Sequence, residues 1–175
     1  ALVFLYKHIL GKKIMVLNNL KRAKMPEKLP VVLSQEEAMS VLAYLDGLPY
    51  LITLLLYGSG LRVSECLRLR VQDVDFEFQQ LWVRSGKGNK DRKTLLSPSL
   101  KYELEELILK AKKMQIEDNK RGTGPSMPHG LSKKYPNGFR QHKWMYLFPS
   151  TTICNYPGSS IQCRHHLHDT VIGKA

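Results

Sequence analysis

Arg62, Glu65 and Lys87 are the residues of this sequence best suited to chemistry, and the chemistry they suit is a grip on phosphate. The stretch LLYGSGLRVSECLRLR, Leu55 to Arg70, breaks an apolar run with a Gly-Ser-Gly turn and delivers a single arginine, Arg62, before an amphipathic pattern resumes. An arginine keeps its charge at every accessible pH and offers a planar fork of donors that matches two phosphate oxygens. At the mouth of a helix that follows a buried one, it calls for an anion. Glu65 stands one helical turn later, a spacing at which a carboxylate can hold the guanidinium. Lys87 lies between two glycines in GKGNKDR, at the tip of a hairpin. There a flexible point charge could reach a strand's backbone or a leaving oxygen. Taken singly, the three read equally well as a surface helix charge, a solvated face and a turn lysine.

A second group, Trp144, Pro157, His165 and His166, gathers rings toward the C-terminal end. On its own, Trp144 reads as a core anchor of a WMYLFP strand and the paired histidines as a helix N-terminus. Cys163, His165, His166 and His168 suggest zinc, but on a helix His166 points away from the other two histidines and the spacing matches no common closed site. No metal is expected.

Charge narrows the partner. The 175 residues carry 27 Lys+Arg against 15 Asp+Glu, a net +12. A polyanion is the default partner of so basic a chain, with ordinary solubility charge as the plain alternative. The excess is segregated: residues 31 to 60 hold no Lys or Arg, whereas Arg84, Lys87, Lys90, Arg92 and Lys93 crowd one hairpin-like segment. Cys66, Cys154 and Cys163 form no C-x-x-C pair, which predicts reduced thiols in a cytoplasm-like compartment and no disulfide scaffold. The opening ALVFLYKHIL is broken by Lys7 and His8, and the apolar run from Tyr50 to Tyr57 is far below spanning length, so a soluble protein away from membranes is expected.

The elements that must position these residues follow from periodicity. Leu2, Leu5, Tyr6 and Ile9 predict a helix that starts in mid-pattern, as in a piece cut from something longer. The basic segment KKIMVLNNLKRAKMPEKLP, closed by Pro26 and Pro30, reads as a linker crossing a nucleic-acid backbone. Ser34 to Glu37 form a capping box for a helix with the stripe Ala38, Val41, Leu42 and Leu45, stopped at Asp46-Gly47. Pro49 opens a nearly all-apolar helix, the expected buried centre. The period then changes to that of strands: DVDFEF, LWVRS and RKTLL predict a three-stranded antiparallel sheet. Ser97-Pro98 starts a helix carried by Leu104, Leu107, Ile108 and Ala111. From Ile116 to Trp144 the chain is Gly-, Pro- and Lys-rich, with room for one short helix.

Taken together, LLYGSGLRVSE, a following D-x-D, a strand and GKGNKDR resemble, in order and spacing, the first half of the catalytic domain of the tyrosine recombinases, the integrase family. The segments KYPNGFRQHKWMYLFPS and RHHLHDTV are similar, more narrowly, to integron integrases, which carry an insertion that other members lack. The resemblance implies an α+β fold, mainly helical, with a small three-stranded sheet: an incomplete catalytic domain over 28–175 with an insertion at about 116–146, preceded over 1–27 by the last helix of a core-binding domain and a linker. It implies that Arg62 grips the scissile phosphate, that Lys87 protonates the leaving 5′ oxygen, that Glu65 supports Arg62, and that Lys90 and Arg92 bind DNA. It further implies that Trp144, Pro157, His165 and His166 enclose bases protruding from a folded single-stranded hairpin.

The implied partner is recombination-site DNA, with a tetramer on DNA as the full-length form and a bacterial cytoplasm as its place. No cofactor is implied, because a phosphotyrosine conserves the bond energy. The family pattern also includes a His-x-x-Arg box and a nucleophilic tyrosine. No histidine here is followed three residues later by arginine, and none of the eight tyrosines falls in the nucleophile's place. The expectation is therefore a C-terminally truncated recombinase fragment or, alternatively, a non-catalytic DNA-binding remnant.

Overall fold

A computed structural model describes residues 4–12, 31–86, 88, 90–128, 130–156 and 160–173. Two compact units divide at Leu33/Ser34. In the first, Leu5–Ile9 form a single π-helical turn with no buried residue, and the Phe4 and His8 rings lie 5.0 Å apart. The predicted basic linker falls outside the described residues.

The second unit opens as its capping box requires. Ser34 Oγ accepts from the Glu37 N–H at 3.2 Å, and Glu37 Oε2 accepts from the Ser34 N–H at 2.7 Å. Two orphan donors of the first turn are thereby satisfied. Helix α1 (Gln35–Leu42) ends before Leu45, and α2 (Gly47–Ser59) begins two residues ahead of Pro49. Asp46 is the extended N-cap residue of α2, and proline is tolerated in a first turn whose N–H groups have no intrahelical partner. Ile52 and Leu55 are fully buried, so α2 is the expected core helix, although Tyr57 at its end is 53% exposed.

Gly60, at φ +60°, ends α2 in the left-handed conformation, which a side chain would strain. That turn lets Leu61 dive back into the core and leaves Arg62 extended as the N-cap residue of α3 (Val63–Leu67). The predicted sheet forms with β1 (Val74–Asp75), β2 (Gln80–Val83) and β3 (Arg92–Leu95), antiparallel in that order. Leu81 and Val83 point into the core, and Trp82 alternates to the other face, opposite Lys93. Thr94 Oγ1 donates to the Ser59 carbonyl at 2.6 Å and ties β3 to the end of α2.

After a 3₁₀ turn at Pro98–Leu100, α4 (Lys101–Lys120) packs through Leu104 and Ala111. It reaches into the polar stretch that begins at Asp118, and its buried face includes Gln115 and Asp118, polar residues a hydrophobic count passes over. The following segment holds one short helix, α5 (Leu131–Lys134), and two 3₁₀ turns. A second sheet, unpredicted, pairs β4 (Pro149–Asn155) with β5 (Gln162–His166). His165 and His166 thus lie on a strand and not at a helix start. The fold is α+β with a mixed helical body and small antiparallel sheets.

Candidate nucleic-acid interface

One carboxylate gathers two arginines, Arg62 and Arg92. Glu65 Oε2 accepts from the Arg62 backbone N–H at 2.9 Å, while Oε1 accepts from Arg62 Nη1 at 3.0 Å. From the hairpin, Arg92 approaches as a fork, Nη1 to Oε1 and Nη2 to Oε2, both at 2.8 Å. The Glu65 side chain is 7% exposed and that of Arg62 56% exposed. A buried carboxylate therefore aims an open guanidinium at solvent. The hydrogen bonds from Arg92, and then those from Arg62, outweigh burial and hold the Glu65 carboxyl down at about 2. Two cations around one anion leave a net positive group, the polarity a phosphate needs.

The hairpin must come close for this. A Cβ on Gly86 would stand 3.1 Å from Arg92 Nη1 and 3.2 Å from Glu65 Oε1, so any side chain would press on the ion cluster where the loop crosses it. The Gly86 N–H donates to the Lys90 carbonyl at 3.1 Å, and Asp91 Oδ1 accepts from the Ser85 N–H at 2.8 Å. Lys90 is exposed at the same loop. Lys87 lies outside the described residues, as does Pro157.

Beside this cluster opens a cleft of about 560 Å³, whose wall runs from Glu65 past Trp82 and Arg84 to Trp144, Tyr146, His165 and His166. Trp144 is half-buried on a 3₁₀ turn and lines the cleft; the core positions of that segment go to Met145, Leu147 and Phe148. Backbone pairing sets it there: the Leu147 N–H donates to the Leu69 carbonyl at 2.8 Å and the Val71 N–H to the Met145 carbonyl at 3.0 Å.

Arg70, between those contacts, is buried. Its guanidinium carbon sits 4.1 Å from the Tyr146 ring centroid, and its nitrogens donate to the carbonyls of Trp144 and Ser126 and to the Tyr146 hydroxyl. From there a relay continues, Tyr146 Oη to Ser126 Oγ at 2.9 Å and Ser126 Oγ to His165 Nδ1 at 2.9 Å. The His165 and His166 rings lie 4.2 Å apart, and Tyr146 meets both edge-on. His166 Nδ1 must carry a proton, since its partner is the Leu167 carbonyl at 2.7 Å, which leaves Nε2 as an acceptor. Burial pushes both imidazoles below their ordinary range, so both are neutral at pH 7.

Three parts of this wall escaped the sequence reading. Arg70 reads as one more basic residue, Tyr146 as part of a strand, and Trp82 as an ordinary strand residue. Only Trp82 had a local signal: its alternation with buried Leu81 and Val83 puts it on the outer face, where Lys93 Nζ sits 4.3 Å from its ring centroid. The strand bearing the histidines is anchored from behind. Arg164 Nε and Nη2 donate to the two Asp118 oxygens at 2.5 and 2.6 Å, both residues buried, and the Ser126 N–H donates to the Arg164 carbonyl at 2.9 Å.

An exposed cationic cluster beside an aromatic cleft has the chemistry to hold a polyanion. Comparison with known proteins gives the family. The phage integrase family matches residues 31–174, and the chain belongs to that family, the tyrosine recombinases. An integrase/recombinase of Escherichia coli is 36% identical over 176 residues, covering 100% of this chain and 52% of that protein. One of Pseudomonas aeruginosa matches with the same figures. The tyrosine recombinase XerA of Pyrococcus horikoshii is 46% identical over 90 residues, 51% of this chain and 32% of the relative. A crystal structure of XerA recombinase covers 51% of this chain and 33% of its own, at 32% identity and a TM-score of 0.41. The chain thus spans about half the length of the two bacterial relatives. Among the described residues no helix is long and apolar enough to cross a membrane.

Proposed function

We propose that this chain is the phosphate-gripping part of a site-specific DNA recombinase of the integron-integrase kind. Residues 1–27 would close a core-binding domain, and 28–175 would begin the catalytic domain, with an insertion at about 116–146. Arg62 grips the scissile phosphate, Glu65 and Arg92 hold it in aim, and Lys87 and Lys90 add charge along the hairpin, Lys87 as the proton donor to the leaving 5′ oxygen. Trp144, His165 and His166 form the wall that receives a base protruding from a folded single-stranded hairpin, and the family resemblance adds Pro157 to the same role. The full-length form assembles as a tetramer on recombination sites in a bacterial cytoplasm.

One observation carries this reading: Glu65 of the cationic cluster and Trp144, His165 and His166 of the ring cluster line the same cleft. A backbone phosphate at the cationic cluster and an unstacked base against the rings would then belong to one bound strand. A stacked base contributes roughly 1 to 3 kcal/mol.

The test is a fluorescence-anisotropy comparison, at one salt concentration, of a folded hairpin with protruding bases and a plain duplex of the same length. The hairpin binds at least tenfold more tightly, and Trp144→Ala or His165→Ala abolishes that margin while duplex affinity stays unchanged. Equal affinity for the two DNAs refutes the base pocket.

A further inference from the structure

We propose that Cys154 and Cys163 are a modification site: a cross-strand thiol pair that closes a reversible disulfide when the chain meets a peroxide. The two residues stand directly opposite each other in the β4–β5 ladder, and both line the cleft. Opposed residues of antiparallel strands have Cα atoms about 4.5 to 5.5 Å apart, and disulfides bridge Cα separations of roughly 4.4 to 6.8 Å. The register therefore puts the two Cα atoms within the range that a disulfide bridges. The side chains already interact: the Cys154 thiol donates to the Cys163 carbonyl at 3.7 Å.

The two sulfurs have different roles. Cys154 is exposed and Cys163 is buried. Burial, with the neighbouring Cys154 sulfur adding to it, pushes the Cys163 thiol up to about 11, so it carries almost no thiolate at pH 7 and is not the sulfur that attacks a peroxide first. Cys154 sulfur takes one oxygen from hydrogen peroxide; the O–O bond breaks, Cys154 becomes a sulfenic acid, and one water leaves. Cys163 sulfur then attacks the Cys154 sulfur; the S–O bond breaks, the S–S bond forms, and the hydroxide departs with the Cys163 proton as a second water. Two thiols lose two electrons in all, and one peroxide becomes two waters. The ladder holds the resolving thiol opposite the sulfenic acid, which offsets its weak acidity. Cys66, fully buried and pushed up to about 12 by burial, is an internal control that takes no part.

The bridge would tie the strand that carries Arg164, His165 and His166 to its neighbour. The test contains no DNA, so it stands or falls apart from the function proposed above. The whole chain is treated with hydrogen peroxide, and its intact mass and digest are read without reduction. The expected result is a loss of two hydrogens, a peptide pair linked through Cys154 and Cys163, Cys66 still open to alkylation after unfolding, and full reversal by dithiothreitol. In Cys163→Ser the oxidised Cys154 has no resolving partner and gains oxygen. Differential alkylation of the unsubstituted chain gives the same answer without any variant. Oxygen added to Cys154 in the unsubstituted chain while Cys163 stays free, dimers linked through Cys154, or no oxidation at all would overturn the proposal.

Discussion

Replacing Glu65 with Gln removes one charge and almost no volume, and the structure sets the size of the effect. The carboxyl falls from its ordinary value of 4.5 to about 2 on folding, held there first by Arg92 and then by Arg62. At about 1.4 kcal/mol per tenfold change, that fall corresponds to roughly 3 kcal/mol of stability. The Glu65 side chain is 7% exposed, but its partners Arg92 and Arg62 are 38% and 56% exposed, so solvent screening reduces this figure. Because the folded value lies below the unfolded one, the contribution is fully present above about pH 5 and is lost as the pH falls toward 2. The amide oxygen of the replacement side chain can still accept one N–H, so about 3 kcal/mol is the ceiling.

Urea unfolding followed by circular dichroism, for parent and Glu65→Gln at pH 7, 4 and 2.5, gives the difference directly. Other carboxylates titrate in both proteins and cancel. The gap should approach 3 kcal/mol at pH 7, narrow slightly by pH 4 and fall to about 1 kcal/mol at 2.5. A gap that stays constant across this range would show that the charge on Glu65 does not organise the two arginines.

Arg62→Ala and Lys87→Ala should each weaken DNA binding by about 1 to 3 kcal/mol at fixed salt, as titration by anisotropy would record, and Arg62→Ala should also lower the melting temperature slightly, since Glu65 loses one of its two cations. Binding should weaken steeply with salt, each phosphate contact adding about 0.7 to 0.9 to the log–log slope, and a flat salt dependence would rule out the phosphate grip. A nicked suicide substrate should give no covalent adduct with this chain alone, since Arg62 and Lys87 can stabilise charge and donate a proton but no tyrosine matches the nucleophile's place; a slower gel band would contradict that assignment. Asp118→Ala should cost about 3 to 5 kcal/mol in chemical unfolding, because it leaves Arg164 buried and unpaired behind the histidine strand, and a cost under 1 kcal/mol would mean that this anchor is dispensable.

What the sequence determined by itself is local. The capping box at Ser34, the left-handed stop at Gly60, the alternation that makes β2 and the pairing of Arg62 with Glu65 all depend on residues a few positions apart, where spacing alone dictates geometry. The same holds for net charge and for the motif order that marks a tyrosine recombinase. What only the tertiary structure decided depends on contacts between distant segments. Glu65 gains its second cation, Arg92, when the hairpin folds back over α3. Arg70 meets Tyr146 and Ser126 through a backbone pairing that no periodicity encodes.

His165 and His166, side by side in sequence, fit a helix start or a strand equally well. They become a strand because the backbones of β4 and of Gly124 and Ser126 satisfy the donors and acceptors of β5, while the Arg164–Asp118 ion pair anchors it. Cys154 and Cys163, too far apart for any C-x-x-C motif, become neighbours by strand register alone. Short-range sterics and hydrogen bonding act within a turn or a strand and can be read along the chain. The cleft exists only where burial of the core forces remote polar groups to find one another.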